Sequence, residues 1–168
     1  MKLLSGKTII LNKFPTHVAR TRNKKAPNKY MKVTNQSVYN GAMNRFTRNN
    51  VITNMHEYII ENIPKNFGKF KGPVKPVFHI YTVRNHGTVK RKKDTGEHIW
   101  KPVADDYQAN WDDDNLAFLW IKTIKDTLSK VGAWPDDNVD YCRGADWDII
   151  FVDTLEERKI VINFIPLD

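Results

Sequence analysis

Three consecutive aspartates, Asp112-Asp113-Asp114, stand before Asn115 and a periodic apolar run, and a second pair, Asp136-Asp137, follows that run. Carboxylates are the side chains that hold magnesium, which prefers a few of them together with substrate phosphate oxygens. Carboxylates two residues apart, such as Asp112 and Asp114, point the same way when the segment before a helix is extended. A third must come from elsewhere in the fold. The run Asn115–Val131 between the two acidic groups predicts a helix of about 17 residues, roughly 25 Å long. Asp137 therefore meets Asp114 only if the chain turns back along that helix. The competing assignment is local: aspartates suit helix N-termini through the cap bond and the dipole, and Asp-Asp-Asn is good turn chemistry. A cap needs one carboxylate, however, and three adjacent ones repel each other, so the surplus favours a cation.

The charge around this cluster is divided along the chain. Residues 1–104 carry 21 Lys and Arg against 4 Asp and Glu, whereas residues 105–168 carry 6 against 15, within an overall charge of +8. A protein that only coated DNA would gain nothing from the acidic part, because phosphates repel carboxylates. A protein that holds a cation against a phosphate uses both parts. The best phosphate contacts are Arg20, Arg22, Lys24, Lys25 and Lys29 in one basic stretch, and Lys90, Arg91, Lys92 and Lys93 in another. Each has the alternative of being a solvated surface charge.

Other classes are excluded or disfavoured. Cys142 is the only cysteine, so an internal disulfide or a cysteine-rich zinc site is ruled out. The five histidines have no metal-ligand spacing, and His79, inside an apolar run, is expected to be a core histidine with a partner. No apolar run approaches the ~20 residues of a membrane span. The opening Met1–Lys7 lacks the pattern of a signal peptide. A cytoplasmic protein with no membrane association is the expectation. An aromatic RNA-binding signature is also missing.

The elements that must position the acids follow from periodicity. Lys7–Asn12 reads as a first strand, and residues 16–34 as a basic loop broken by Pro27. Ser37 is the expected N-cap of a helix over Val38–Asn62, with Val38, Ala42, Phe46, Ile52, Met55, Ile59 and Ile63 as its apolar stripe. Val77–Val83 is apolar enough for a strand covered on both faces. Residues 84–104 form an insertion, either a basic hairpin turned by Asp94-Thr95-Gly96 or a mobile arm. Leu116, Trp120, Ile124, Leu128 and Val131 are the expected stripe of the second helix, with Gly132 after its end. Strands near Val139–Arg143 and Ile149–Val152, a turn at Thr154–Arg158, and a strand Lys159–Ile165 closing the sheet complete the order. The expected fold is α+β: a mixed β-sheet with two main helices packed on it, in one domain spanning residues 1–168.

The ordered set Asp112-x-Asp114-Asn115-Leu116, Lys122-x-x-x-Asp126-x-Leu128, Gly132-x-Trp134-x-Asp136-Asp137 and Asp140-Tyr141 resembles the RusA family of Holliday junction resolvases. The match is tight over about thirty residues. An early strand followed by proline and a basic loop, a long helix, a strand and a last strand agree with it more loosely. The resemblance implies a homodimeric, Mg²⁺-dependent endonuclease that resolves four-way DNA junctions with one or two ions and leaves 5′-phosphate nicks. It implies Asp112, Asp114 and Asp137 as metal ligands and catalytic residues, Asn115 as their buttress and Lys122 as the catalytic lysine. The family lysine lies three residues after the asparagine, where this chain has Phe118. Aligning the later Asp-x-Leu puts a four-residue insertion in the helix and moves the lysine to Lys122, about 10 Å along the axis from Asn115; Lys125 is a substitute. A bacteriophage or prophage origin suits such a protein. The alternatives are a nuclease of the same fold preferring flaps or forks, and a non-catalytic, structure-selective DNA-binding protein whose aspartates are only caps.

Overall fold

The computed structural model describes residues 7–15, 17–22, 30–39, 41, 43–83, 88–91, 98–101, 113–136 and 138–167. In chain order the elements are β1 (Lys7–Asn12), β2 (His17–Ala19), β3 (Tyr30–Lys32), α1 (Asn35–Tyr39), α2 (Arg45–Asn62), β4 (Val74–Val83), β5 (Thr88–Arg91), β6 (His98–Lys101), α3 (Asp113–Lys130), β7 (Asp146–Val152) and β8 (Lys159–Pro166). Four of these strands form one mixed sheet in the order β1-β8-β4-β7, with β8 antiparallel to both neighbours and β7 parallel to β4. The α+β expectation holds. The last strand does not close the sheet, however; β8 lies inside it.

Strand alternation explains how the sheet is covered. Ile9, Leu11, Phe78, Ile80, Ile160, Ile162 and Phe164 share one face and are buried in a single cluster with Val51, Met55 and Ile59 of α2 and Leu116, Trp120, Ile124 and Leu128 of α3. Trp120 sits edge-on to Phe14 and Tyr58, with ring centroids 5.6 and 6.0 Å away. The opposite face of β4 carries Lys75, Val77, His79 and Tyr81, which are only half-buried. Among the described residues the second face is therefore only half-covered from Lys75 to Tyr81, and closes at Val83, which is buried. His79 does have a partner, Asp148 Oδ1 at 2.7 Å from its Nδ1, but on this half-open face rather than in the core.

The predicted first helix is two helices. Thr34, not Ser37, begins the first: Ser37 N–H donates to Thr34 Oγ1 at 3.0 Å, and Thr34 N–H donates to Ser37 Oγ at 2.9 Å. This is a reciprocal capping box with serine in the acceptor position. α1 stops at Tyr39, Gly41 takes φ +80°, and Asn44 then caps α2 by accepting from Thr47 N–H at 2.9 Å. Phe46, expected in the buried stripe, is 82% exposed. In α3 the expected stripe is buried except Val131, which projects into solvent past the last helical residue.

Three further readings change. The basic stretch contains the short antiparallel pair β2–β3 where only a loop was expected. The insertion contains the hairpin β5–β6, with Thr88 opposite Lys101 and Arg91 opposite His98; its turn, residues 92–97, lies outside the described residues. Residues 139–143 form a turn and a single bridge from Cys142 to Val74, not a strand. Cys142 itself is buried, as an inert core thiol should be. Among the described residues no helix is long and apolar enough to cross a membrane.

Candidate metal site and DNA-binding surface

α3 begins at Asp113, so Asp113 and Asp114 occupy its first turn, where the exposed N–H groups and the dipole favour negative charge. Asp112, the residue before the helix, lies outside the described residues, as does Asp137. For Asp114 the helical position is described and the side chain is not. Asn115 follows it, half-buried. Among the described residues no three His, Cys, Asp or Glu side chains come together as a metal site.

The far end of α3 is closed by a Schellman motif. Gly132 has φ +75°, its N–H donates to Ser129 O at 3.1 Å, and Ala133 N–H donates to Leu128 O at 2.9 Å. The chain does turn back here, and Trp134 Nε1 donates to Ser129 Oγ at 2.7 Å. Seven residues later Tyr141 O accepts from Val74 N–H at 2.9 Å. Both ends of the 135–140 segment are thereby held at the C-terminal end of α3. Ser129 is fifteen residues from Asp114, about 22 Å of helix axis. Asp136 on this segment is exposed and accepts from Asn138 Nδ2 at 3.3 Å.

Lys122 is engaged within its own helix. Its Nζ lies 3.4 Å from Asp126 Oδ2, one turn toward the C-terminus, and 5.3 Å from the centroid of the Tyr39 ring of α1. The amine thus leans away from the aspartates at the helix start. An exposed i,i+4 pair of this kind contributes only ~0.3–0.5 kcal/mol, little enough for a phosphate to displace.

The basic candidates divide in a similar way. Arg20 is exposed. Arg22 is occupied: it pairs with Glu57 of α2, and its Nη1 donates to Asn54 Oδ1 at 2.5 Å. The bond to Glu57 raises the Arg22 pKa above its usual value. Lys90 and Arg91 are on β5, while Lys24, Lys25, Lys29, Lys92 and Lys93 lie outside the described residues.

Sequence reasoning missed the residues that fix the 19–22 turn. Asn54 Nδ2 donates to Ala19 O at 2.9 Å and Thr21 O at 3.1 Å, and Asn50 Nδ2 donates to Arg20 O at 3.2 Å. Two asparagines one turn apart inside a helix, where asparagine is a weak former, were the available signal. A buried polar seam was missed as well. On α3, Thr123 and Thr127 donate back to Leu119 O and Thr123 O, both at 2.7 Å. Their oxygens then accept from Tyr39 OH at 2.8 Å and from His56 Nδ1 at 2.5 Å. Burial, with Lys130 nearby, holds the His56 pKa below 6.5. Arg158 is buried against Phe14, its guanidinium carbon 4.2 Å from the ring centroid, and burial lowers its pKa to about 10.

No protein-family model, no curated protein and no solved structure matches this chain.

Proposed function

We propose that the chain is a magnesium-dependent endonuclease for branched DNA, of the RusA kind and acting as a homodimer in the cytoplasm of a phage-infected or prophage-bearing bacterium. One observation carries the reading: the acidic run Asp112–Asp114 leads into the first turn of α3, and it holds three adjacent carboxylates where an N-cap bond uses one. The ordered resemblance from Asp112 to Tyr141 and the excess of basic residues in 1–104 support it.

Asp112 and Asp114 would hold Mg²⁺, whose charge would stabilise the phosphate and lower the pKa of the attacking water. The resemblance adds Asp137, but both ends of the segment that carries it are anchored at the other end of α3, about 22 Å of helix axis from Asp114. Magnesium needs only one or two carboxylates besides substrate oxygens. Asp112 and Asp114 are therefore sufficient on their own, and the anchoring of the 135–140 segment makes Asp137 the least secure member. A carboxylate of this group takes the proton from the attacking water. Lys122, released from Asp126, places positive charge near the phosphate as negative charge builds there. Arg20 and the β5 residues Lys90 and Arg91 neutralise backbone phosphates. A twofold dimer sets two such sites on one junction and gives paired cuts.

The test is a labelled four-way junction, with fork, flap and duplex as competitors, incubated with and without Mg²⁺. Asp114→Asn should retain junction binding and lose cleavage by at least roughly a hundredfold, as removal of a metal ligand does. If no strand is cut at any Mg²⁺ level, the aspartates are caps and a non-catalytic DNA-binding protein remains. If Asp137→Asn cuts like wild type, residues 112–114 hold the ion without it.

A further inference from the structure

A groove of about 370 Å³ opens between residues 69–72 and the turn 132–135, with Tyr141 as a third wall. Its volume is near the lower end of the ~300–1,000 Å³ typical of ligand sites, room for one nucleotide but not for a duplex. The walls are tied together at both ends: Phe70 N–H donates to Ala133 O, and Val74 N–H to Tyr141 O, each at 2.9 Å. The groove is thus preformed.

Its chemistry is directional. Phe70 lies on the Trp134 ring with centroids 5.1 Å apart, and both rest against Phe164, so they make a fixed apolar floor. Tyr141 lines the groove and is only partly buried, packed on one side against the core. Lys69 and Lys71 are exposed on one rim, and among the described residues neither is ion-paired. No acidic residue occurs between Glu61 and Asp94 in the sequence. The opposite rim leads through Pro135 to Asp136, an exposed carboxylate outside the groove.

We propose that this groove binds an unpaired nucleotide of a DNA strand, its base against Tyr141 and its phosphates on Lys69 and Lys71. The proposal rests on the nucleic-acid reading above and sharpens it: the preferred substrate carries a single-stranded segment, as a fork or flap does, rather than being fully paired. The groove adjoins Gly132, eighteen residues from Asp114, which sets the unpaired segment about 27 Å from the acidic start of α3, the length of roughly eight stacked base pairs.

The test uses fluorescence anisotropy in EDTA, so that cleavage plays no part. The probes are a blunt duplex of about twenty base pairs and the same duplex with an oligothymidylate tail of about eight nucleotides. Wild type should bind the tailed probe about tenfold or more tighter, consistent with base–aromatic stacking. Lys69→Gln/Lys71→Gln, both at exposed positions, should remove most of that advantage, flatten the salt dependence of tailed-probe binding by about 0.7 per lost phosphate contact, and change blunt-duplex affinity less than about threefold. Tyr141→Ala should weaken only tailed-probe binding. Equal wild-type affinity for the two probes, or an unchanged tail preference in the lysine variant, overturns the groove. If wild type cuts junctions in Mg²⁺ yet shows no tail preference, only this proposal falls; if it binds neither probe nor a four-way junction, the nucleic-acid reading falls with it.

Discussion

Helices α2 and α3 are both eighteen residues long, but they are held in place by different forces. α3 buries Leu116, Leu119, Trp120, Ile124 and Leu128 along one side and ends in a Schellman turn. α2 buries only Val51, Met55, His56 and Ile59, leaves Phe46 exposed, and is fixed by polar bonds: the Asn44 cap, the Asn50 and Asn54 clamps, and His56 on Thr127. The difference matters for function. The helix carrying the aspartates has a rigid apolar seat, whereas the helix beneath the basic 19–22 turn adds to three core residues a set of polar bonds, one of which, His56 on Thr127, protonation can alter.

The largest effect should come from the apolar side. Trp120→Ala should cost about 3–5 kcal/mol, read as a lowered urea midpoint, because it empties the space between Phe14 and Tyr58. A loss under about 1 kcal/mol would break the contrast. Next, Asn54→Ala should cost about 1–2 kcal/mol, since it leaves the Ala19 and Thr21 carbonyls short of a donor. It should also speed tryptic cleavage after Arg20 and Arg22.

His56 gives a pH test of the polar side. Its folded pKa lies below 6.5, so the unfolded chain takes up the proton first. Its contribution is complete above about pH 6.5, declines as pH falls from there toward the folded value, and is flat below that. His56→Asn keeps a donor for Thr127 and cannot titrate. Urea melts between pH 7.5 and 5.5 should therefore show a shallower decline for the variant than for wild type. The smallest effect belongs to Phe46→Ser, expected within about 0.5 kcal/mol of wild type by the same melts because that ring is in solvent.

The same contrast governs what could be read from the residues. β1 and α3 were legible because alternation, a 3.6-residue stripe and Gly132 all reported the same burial. The break between α1 and α2 was not, since Val38, Ala42 and Phe46 keep helical spacing across it, and Asn44 as a cap looks no different from Asn44 in a helix. β2 and β3 were hidden because three-residue strands in a basic stretch leave no periodicity to detect. The interior place of β8 was also hidden: alternation specifies a face, not a neighbour. At the site, spacing identified the acidic turn of α3, but it says nothing of rotamers, so Lys122 bound to Asp126 and Arg22 bound to Glu57 were out of reach.

The interior place of β8 also sets a timetable for synthesis. β1 and β4 are not hydrogen-bonded to each other; each pairs with β8, and Thr8 reaches Asn163 across 155 positions of sequence at 3.0 Å. On a ribosome adding ~5–20 residues per second, β1 waits roughly 8–30 s for its neighbour to emerge. Until then the edges of β1 and β4 that will receive β8 stand unpaired, which is the condition under which strands pair with wrong partners.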